Sequence, residues 1–412
     1  MAILHPTRIV KALVPLYVER FSCIGSNCED TCCAGWRVTI DKKTFTNYKQ
    51  SKNPHLIDRF ENKVKRIRSQ ASDSNYARMD LDSATGDCPM IEEHLCSIQK
   101  ELGEDKLSNT CFTYPRYSKE VGGVYQQALT LSCPEAARLA LLAIDAMEFT
   151  QTNLTIRPET IERQKPVFGL SLDQMNEVRF FCIQLLKSQD LMLWQKLALL
   201  GLFCESLTEA LKRGGQKQTA EITESMRTLV ENGQFASLFE SMQPEYEIQA
   251  VTFALLWQLK VTGINSKMQR SVQDAIGKGL DADKDSGQVD EAKLIDRYKQ
   301  GVKNLPAALI DAPSFMENYV LNEMFRENFP FGNTSPYEHY LKLITRFGIV
   351  RFMLASQCVN EKELPSLNVL TQTVQVFSKR FQHDDHFAIN VNNCFNNSGW
   401  SDLQKVYRFL KT

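Results

Sequence analysis

The stretch FSCIGSNCEDTCCAGWRVTID, residues 21–41, contains four cysteines, and two of them, Cys32 and Cys33, are adjacent. Four more cysteines follow before residue 134, and only four lie in the remaining two thirds of the 412-residue chain. The eight N-terminal cysteines are Cys23, Cys28, Cys32, Cys33, Cys88, Cys96, Cys111 and Cys133. Thiolates are soft ligands of zinc and of iron–sulfur centres, so this clustering predicts a metal centre.

The spacing of these cysteines leaves the type of metal open. It reads Cys-x4-Cys-x3-Cys-Cys and then Cys-x7-Cys-x14-Cys-x21-Cys, without the C-x2-C pairs of zinc ribbons and without bacterial ferredoxin spacing. Three interpretations compete: an iron–sulfur cluster, one or two structural zinc sites, or a set of buried free thiols. The clustering argues against the last. His94 is a further candidate ligand or a plain loop residue.

The bulk composition is that of an ordinary globular protein, with 43% hydrophobic and 24% charged residues. A net charge of −1 provides no global basic field for nucleic acid. We find no run of 18 apolar residues, and Arg8, Lys11 and two prolines interrupt the N-terminal apolar stretch. We therefore expect a cytoplasmic protein that binds neither nucleic acid nor membrane, in a compartment that disfavours disulfides.

The patterning along the chain separates two regions. The first contains the cysteines and many turn residues, with a short strand predicted at 36–40 and a helix at 43–70. Ser132 to Glu135 has the features of a helix start, with Pro134 at the first helical position. From about residue 170 the pattern is helical, apart from a polar loop predicted at 277–288. The predicted helices are 175–213 as one helix or a kinked pair, 218–243, 245–262, 288–304, 312–327, 336–356, 366–382 and 400–411.

These patterns predict a mainly α protein. We expect a cysteine-rich metal-binding domain with little sheet at residues 1–135 and an irregular all-helical domain at residues 136–412. The helical part lacks the strand–helix alternation that a doubly wound sheet needs.

Several segments are similar to the flagellin lysine-N-methylases. The specificity of the match lies in residues 21–41 and 88–135. The first range contains most of the opening signature at residues 21–42, and the second contains the stretch LSNTC at residues 107–111. The other segments are Cys88-Pro89, 95–99, 102–103, 114–116 and 131–135. Residues 317–331 and 377–383 resemble the C-terminal half of the same family more loosely, and the eight-cysteine layout also resembles zinc- or iron-chelating domains.

The resemblance implies an enzyme that methylates the ε-amino groups of surface lysines on flagellin. It implies S-adenosyl-L-methionine as the methyl donor and a 4Fe-4S cluster held by some of the eight cysteines. Such an enzyme would meet flagellin in the cytoplasm, before export.

The sequence lacks the usual signature of a donor site. A Rossmann-type methyltransferase needs a glycine-rich loop after its first strand, and no G-x-G-x-G is present. The donor must then bind by another route. One hypothesis is that a cluster held by three thiolates leaves an iron open to the amino and carboxylate groups of the donor.

The signature segments supply candidate site residues. The catalytic candidates are Glu29, Asp30 and Tyr114, and the candidates for binding the donor are Trp36, Arg116 and Glu135. A carboxylate can help a lysine lose its proton, aromatic rings can line a lysine channel, and Arg116 can pair with a carboxylate. Asp41 and Glu135 are further candidate bases or orienters. The alternative roles of these residues are surface charge, core packing and helix capping.

The sequence also allows a second metal site near the C-terminus and two alternative functions. The run His383-Asp384-Asp385-His386 can bind a metal or form the polar end of a helix. The alternative function is a non-catalytic interaction protein with structural zinc, and a third is redox or metal delivery.

Overall fold

The computed structural model describes residues 4–34, 37–259, 266–283, 286–382 and 385–412. Its strands are β1 (Arg8–Pro15), β2 (Thr39–Ile40), β3 (Val64–Arg66), β4 (Ala77–Met79), β5 (Ile91–Glu92), β6 (Leu95–Cys96), β7 (Arg116–Val121), β8 (Val124–Leu129), β9 (Phe149–Ile156) and β10 (Glu162–Arg163). Its helices are α1 (Leu16–Glu19), α2 (Lys42–Lys49), α3 (Ile57–Lys63), α4 (Ser97–Leu102), α5 (Asn109–Thr113), α6 (Pro134–Leu142), α7 (Leu172–Lys187), α8 (Leu193–Lys212), α9 (Thr219–Glu231), α10 (Ala236–Ser241), α11 (Tyr246–Gln258), α12 (Lys267–Leu280), α13 (Glu291–Ala308), α14 (Phe315–Arg326), α15 (Pro336–Ala355), α16 (Leu367–Phe381), α17 (Asp385–Ser398) and α18 (Leu403–Tyr407). Helices predominate, and no strand follows Arg163 among the described residues, so the prediction of a mainly α protein is confirmed.

A five-stranded mixed sheet lies beside the helices, in the order β10-β7-β8-β1-β9. β1 pairs antiparallel with β9 along its whole length and parallel with β8. Ala12 and Val14 are buried on one face of β1, as expected for a strand that covers a core. β1 and β9 were not predicted from the sequence. Lys11 interrupts the apolar run of β1, and five of the eight residues of β9 are threonine, glutamine or asparagine.

The cysteine-rich part has its own small core beneath a three-stranded sheet, β2-β4-β3, and the hairpin β5-β6. Its rings Tyr48 and Phe60 stack with centroids 4.3 Å apart. The predicted short strand is confirmed at Thr39–Ile40. The single helix predicted at 43–70 is wrong: the chain forms α2 and α3 and then β3, because Pro54 disfavours helical geometry in the residue before it.

α15 is the central helix of the helical part. Almost all of its residues are buried, and it packs against α8, α11, α13 and α16. A capping box between Ser335 and Glu338 begins it. The helix predicted at 336–356 is confirmed, and α7 and α8 confirm the predicted kinked pair.

α12 and α17 were not predicted. The loop predicted at 277–288 begins only after Leu280, because α12 continues to that residue. Val272, Ile276 and Leu280 are buried at four-residue spacing, which gives α12 an apolar stripe despite its polar composition.

The main hydrophobic core extends from Ala12 to Leu410 and includes residues on both sides of the domain boundary predicted at residue 135. That boundary stays a prediction. Among the described residues, no helix is both long enough and apolar enough to cross a membrane.

Two glycines of α12 provide a test of how closely its end approaches the end of α15. A Cβ at Gly279 would lie 1.6 Å from the carbonyl oxygen of Ser356, whereas a Cβ at Gly277 would meet only Ala282 at 3.8 Å. We expect Gly279→Ala to destabilise the protein by about 1–3 kcal/mol through overpacking. Gly277→Ala should instead stabilise it by up to about 1 kcal/mol, because alanine favours a helix. Urea denaturation measures both, and equal effects would contradict the close approach.

Candidate functional site

The predicted metal cysteines lie in turns and at helix starts. Cys96 and Cys133 are the N-terminal caps of α4 and α6, and Cys111 lies within α5. Cys32 and Cys33 lie in a turn, and their sulfur atoms are 3.6 Å apart. Adjacent residues of a strand would point to opposite faces, so the turn is what brings these two sulfurs together.

Cys32 is the centre of the thiol cluster. Electrostatic interactions link it to six other cysteines, Cys28, Cys33, Cys88, Cys96, Cys111 and Cys133. The fold therefore brings seven of the eight predicted cysteines into one neighbourhood. Cys23 is exposed and begins the same segment.

Backbone amides face four of these sulfurs. The amide donors are those of Asp30 to Cys28, Met90 to Cys88, Ile98 and Gln99 to Cys96, and Glu135 and Ala136 to Cys133. Amide donors stabilise negative charge on sulfur, most strongly at the start of a helix. Hydrogen bonds to sulfur are also a means by which proteins tune thiolate-bound clusters.

Burial favours the neutral form of most of these thiols. It raises the pKa of Cys88, Cys111 and Cys133 to about 12. The hydrogen bond from Cys33 lowers the pKa of Cys32 to about 7, while the same bond and burial raise the pKa of Cys33. A buried thiol of this kind loses its proton when a metal ion takes the proton's place.

The chemistry of the clustered cysteine side chains fits a metal centre with thiolate ligands. The structure gathers soft sulfur ligands, supplies them with amide hydrogen bonds and removes them partly from water. Within the residues that the structure describes, no three His, Cys, Asp or Glu side chains converge closely enough to hold a metal ion.

Asp30 attaches the cysteine segment to α16. Its carboxylate accepts hydrogen bonds from Lys379 at 2.9 Å and from Gln375 at 2.8 Å. Lys379 also donates to the carbonyl oxygen of Thr31 at 3.0 Å. The side chains of Asp30 and Lys379 are only 5% and 3% exposed, so this is a buried ion pair.

A chain of hydrogen bonds leads from the cysteines into the helical part. The Tyr114 hydroxyl lies 3.0 Å from that of Ser132, which lies 3.0 Å from that of Thr130. Thr130 donates to Gln382 at 2.7 Å, and the Gln382 amide donates to Glu323 of α14. Burial raises the pKa of Tyr114 well above its usual range, so its hydroxyl stays protonated.

Glu323 belongs to a buried ionic network between α14 and α15. Arg326 and Arg346 each bind both Glu323 and Glu327, at distances from 2.6 to 3.2 Å. Lys342 binds Glu327 at 2.6 Å. This network was not predicted from the sequence. The sequence does contain an indication of it. His339, Lys342 and Arg346 are spaced three and four residues apart, which places them on one face of an otherwise apolar helix.

A cleft of about 860 Å³ opens above this network. It lies between the β7–β10 edge of the sheet, the connection from α14 to α15, and α17. Its lining includes Tyr117, Glu327, Asn328, His339, Lys342, Gln382 and Asn392.

The other predicted site residues, Glu29, Glu135 and Arg116, interact with neighbouring side chains. Arg138 binds both Glu29 and Glu135 on the surface beside the cysteines. The Arg116 guanidinium lies 5.4 Å from the centroid of the Phe21 ring.

Trp36 lies outside the described residues, as do His383 and Asp384 of the predicted polar run. His94 is exposed in the turn of the β5–β6 hairpin. Asp41 caps α2 by accepting from the amide of Thr44 at 2.9 Å.

The Asp30–Lys379 pair predicts how firmly the cysteine segment is held. Asp30→Asn should destabilise the protein by about 3 kcal/mol, because it leaves Lys379 buried without a counter-charge. Hydrogen exchange should also become faster in residues 23–34. Asp145→Asn is the matched control, because its pair with Arg20 is about 40% exposed on both sides and should contribute nothing measurable. Equal effects of the two substitutions would contradict the anchoring role.

The ionic network predicts a pH dependence of stability. Burial opposes ionisation of Glu327, but Arg346 and Arg326 hold its pKa well below the ordinary 4.5. A folded-state pKa below the unfolded value means that the carboxylate stabilises the fold above that pH and loses this effect as the pH falls. Glu327→Gln should cost about 3–5 kcal/mol near neutral pH, and the difference from wild type should shrink in acid.

Urea denaturation at about pH 7 and about pH 4 measures the effect of Glu327→Gln on either side of the ordinary carboxyl pKa. Glu209→Gln is the control, because Glu209 pairs with Lys212 on the exposed surface of α8 and should show no change at either pH. A cost of Glu327→Gln that is the same at both pH values would contradict the depressed pKa.

Comparison with known proteins gives matches to the C-terminal part and to the whole chain. The family described as FliB lysine N-methylase C-terminal domain matches residues 179–409, more than half of the chain. The proteins named lysine-N-methylase of Salmonella typhimurium and Salmonella choleraesuis are each 26% identical to this chain, over 91% of it and 93% of their own length.

The flagellar biosynthetic protein FliU of Salmonella muenchen is 35% identical over 150 residues, which are 36% of this chain and 88% of that protein. No solved structure matches the chain. The match to the family over more than half of the chain agrees with the resemblance of the signature segments. The chain belongs to the FliB lysine N-methylase family.

Proposed function

We propose that this protein is an S-adenosyl-L-methionine-dependent lysine N-methyltransferase that acts on flagellin in the cytoplasm, before export. Membership of the FliB lysine N-methylase family and the names of the relatives support the reaction and the flagellar substrate. The main structural support for a catalytic centre is the cluster of seven thiols around Cys32. Backbone amides face four of these seven sulfur atoms.

The cysteines around Cys32 would hold the metal centre, which we propose to be a 4Fe-4S cluster. The residues that would supply its ligands are drawn from Cys23, Cys28, Cys32, Cys33, Cys88, Cys96, Cys111 and Cys133. When bound, such a cluster would supply iron and redox chemistry beside the transfer site. The amides at the starts of α4 and α6 would stabilise the thiolates that hold it.

The protein residues have to present a neutral lysine in line with the methyl group. A lysine with an ordinary pKa of about 10.4 must lose its proton, which desolvation and a nearby carboxylate favour. Glu29 is the partly exposed carboxylate of the cysteine segment, and Arg138 fixes its position. Tyr114 offers a neutral hydroxyl beside the cysteines for orienting a polar group. Asp30 acts through Lys379 and is a positioning residue.

A non-catalytic protein with structural zinc is the alternative. It is favoured by the lack of a parallel α/β nucleotide-binding sheet in the described part of the chain. Methylation of flagellin would exclude it.

Co-expression with flagellin, followed by mass spectrometry of flagellin peptides, tests the proposed function. We expect methyl groups on surface lysines of flagellin when wild-type protein is present. Cys32→Ser should reduce methylation at least about tenfold, because a hydroxyl is a poor ligand for a soft metal centre. Cys394→Ser is the matched control, because Cys394 is exposed on α17 and outside the cysteine cluster. Unmodified flagellin beside soluble wild-type protein would contradict the proposal.

A further inference from the structure

Arg157 is a fully buried arginine between the five-stranded sheet and the cysteine-rich part. It directly follows β9 and is 0% exposed. Its guanidinium donates to the carbonyl oxygens of Leu107 at 2.8 Å and Glu104 at 3.1 Å, and to the side-chain oxygen of Asn109 at 3.1 Å. Burying a cation is costly, and none of these acceptors is a carboxylate. Such a side chain is better explained by the segment that it holds than by a general gain in stability.

The segment that Arg157 holds leads to Cys111. Glu104 begins a short 3-10 helix before α5, and Asn109 is the first residue of α5, the helix that contains Cys111. On the other side of Cys111, the centroid of the Phe112 ring lies 3.9 Å from the guanidinium carbon. A guanidinium and an aromatic ring at this distance attract each other. The contacts of one arginine therefore lie both before and after Cys111 in the chain.

Ser108 connects these contacts to the sulfur of Cys111. It lies between Leu107 and Asn109, the two residues that accept from Nη1 of Arg157. It is 1% exposed, and its hydroxyl oxygen accepts from the amide of Cys111 at 3.3 Å, which caps α5. The same side chain is hydrogen-bonded to the thiol of Cys111. The position of Ser108, and with it that of the sulfur, therefore depends on the arginine.

Two carboxylates complete the surroundings of Asn109. Asp41 accepts from its amide at 3.3 Å, and Glu159 accepts from its side-chain nitrogen at 3.2 Å. Both carboxylates also attract the charge of Arg157. The first turn of α5 is thus held from three sides, and Arg157 connects it to the turn that precedes it.

The shape of the arginine side chain suits this role. Its planar guanidinium presents several N–H donors in a fixed fork and a flat face for stacking. A lysine would keep the charge, but its ammonium nitrogen has no plane to stack on Phe112 and donates from a single point. Arg157→Lys is therefore a substitution that removes the fork and keeps the charge.

We propose that Arg157 is a positioning residue that holds the sulfur of Cys111 at the metal centre. The inference rests on the proposed function, because that function supplies the metal. Cys111 interacts electrostatically with Cys32, Cys88 and Cys96, so its position affects how these sulfurs can converge on a metal. Arg157 acts through the first turn of α5 and is not a catalytic residue.

Release of the metal from anaerobically purified full-length protein tests the inference. A coloured chelator of zinc and ferrous iron would follow the release, together with the absorption spectrum. We expect Arg157→Lys to release the metal at least about tenfold faster than wild type, because loss of a group that orients a metal ligand weakens binding by about 10–100-fold.

Arg179→Lys is the matched control. Arg179 is 1% exposed and donates to the neutral side chains of Asn176 and Gln126, which lie on α7 and β8. Like that of Arg157, its Nε has no hydrogen-bond partner within the described structure. The two substitutions therefore remove similar buried forks, and Arg179→Lys should release the metal at the wild-type rate.

Alkylation with iodoacetamide after removal of the metal gives a second readout. Mass spectrometry of peptides would measure Cys111 and, in the same molecule, Cys133 as the reference. Arg157→Lys should make alkylation of Cys111 at least about threefold faster and leave Cys133 unchanged, because local opening of the α5 segment exposes one thiol and not the other. Asn109→Ala removes one acceptor and keeps the arginine, so it should act in the same direction. It replaces Arg157→Lys if that variant does not fold.

The outcomes separate this inference from the proposed function. Equal metal release by the two arginine variants, with flagellin methylated by wild type, would overturn the inference alone. Unchanged alkylation of Cys111 in a folded Arg157→Lys variant would also overturn it. Wild-type protein that holds no metal would contradict the proposed centre, and the alkylation of metal-free protein then decides whether Arg157 positions Cys111.

Discussion

The buried ion pair between Asp30 and Lys379 holds the cysteine segment in place. Its partners are 349 residues apart in sequence, and their charged atoms lie 2.9 Å from each other. Burying two charges is costly, and such a pair is stable only when its hydrogen bonds are satisfied. Gln375 and the carbonyl of Thr31 provide those bonds. The loop that carries Cys28, Cys32 and Cys33 therefore has its position set by a helix near the other end of the chain.

α16 extends this connection from the cysteines to the ionic network. Gln375 and Lys379 bind the cysteine segment, and Gln382, which caps the helix, binds Glu323 of α14. These three positions recur at helical spacing, so one face of α16 contacts both regions. The cysteine cluster and the polar cleft thus share a single buried scaffold, although the sequence suggests two separate domains.

The sequence predicted the features that depend on neighbouring residues. The helix start at Cys133 follows from Pro134 and Glu135, and the kinked pair α7–α8 follows from apolar periodicity. The cysteine cluster could be expected from composition alone, and the family resemblance agrees with the later comparison.

Long-range contacts could not be predicted in the same way. Nothing near Asp30 indicates Lys379 as its partner. The pairing of β1 with β9 joins segments that are separated by all eight N-terminal cysteines. The ionic network depends on how α14 packs against α15. The basic residues on one face of α15 did indicate that this face has polar partners. The ligands within the cysteine cluster follow neither from spacing nor from the described contacts, since a metal ion would itself draw the sulfurs together.

The metal content of the protein tests the central claim most directly. The claim is that the cysteines around Cys32 hold an iron–sulfur centre. Anaerobic purification followed by iron, sulfide and zinc analysis, with an absorption spectrum, should find about four iron and four sulfide per chain and a brown colour that oxygen bleaches. Colourless protein with stoichiometric zinc and no iron would contradict the claim and make the cysteine centre structural.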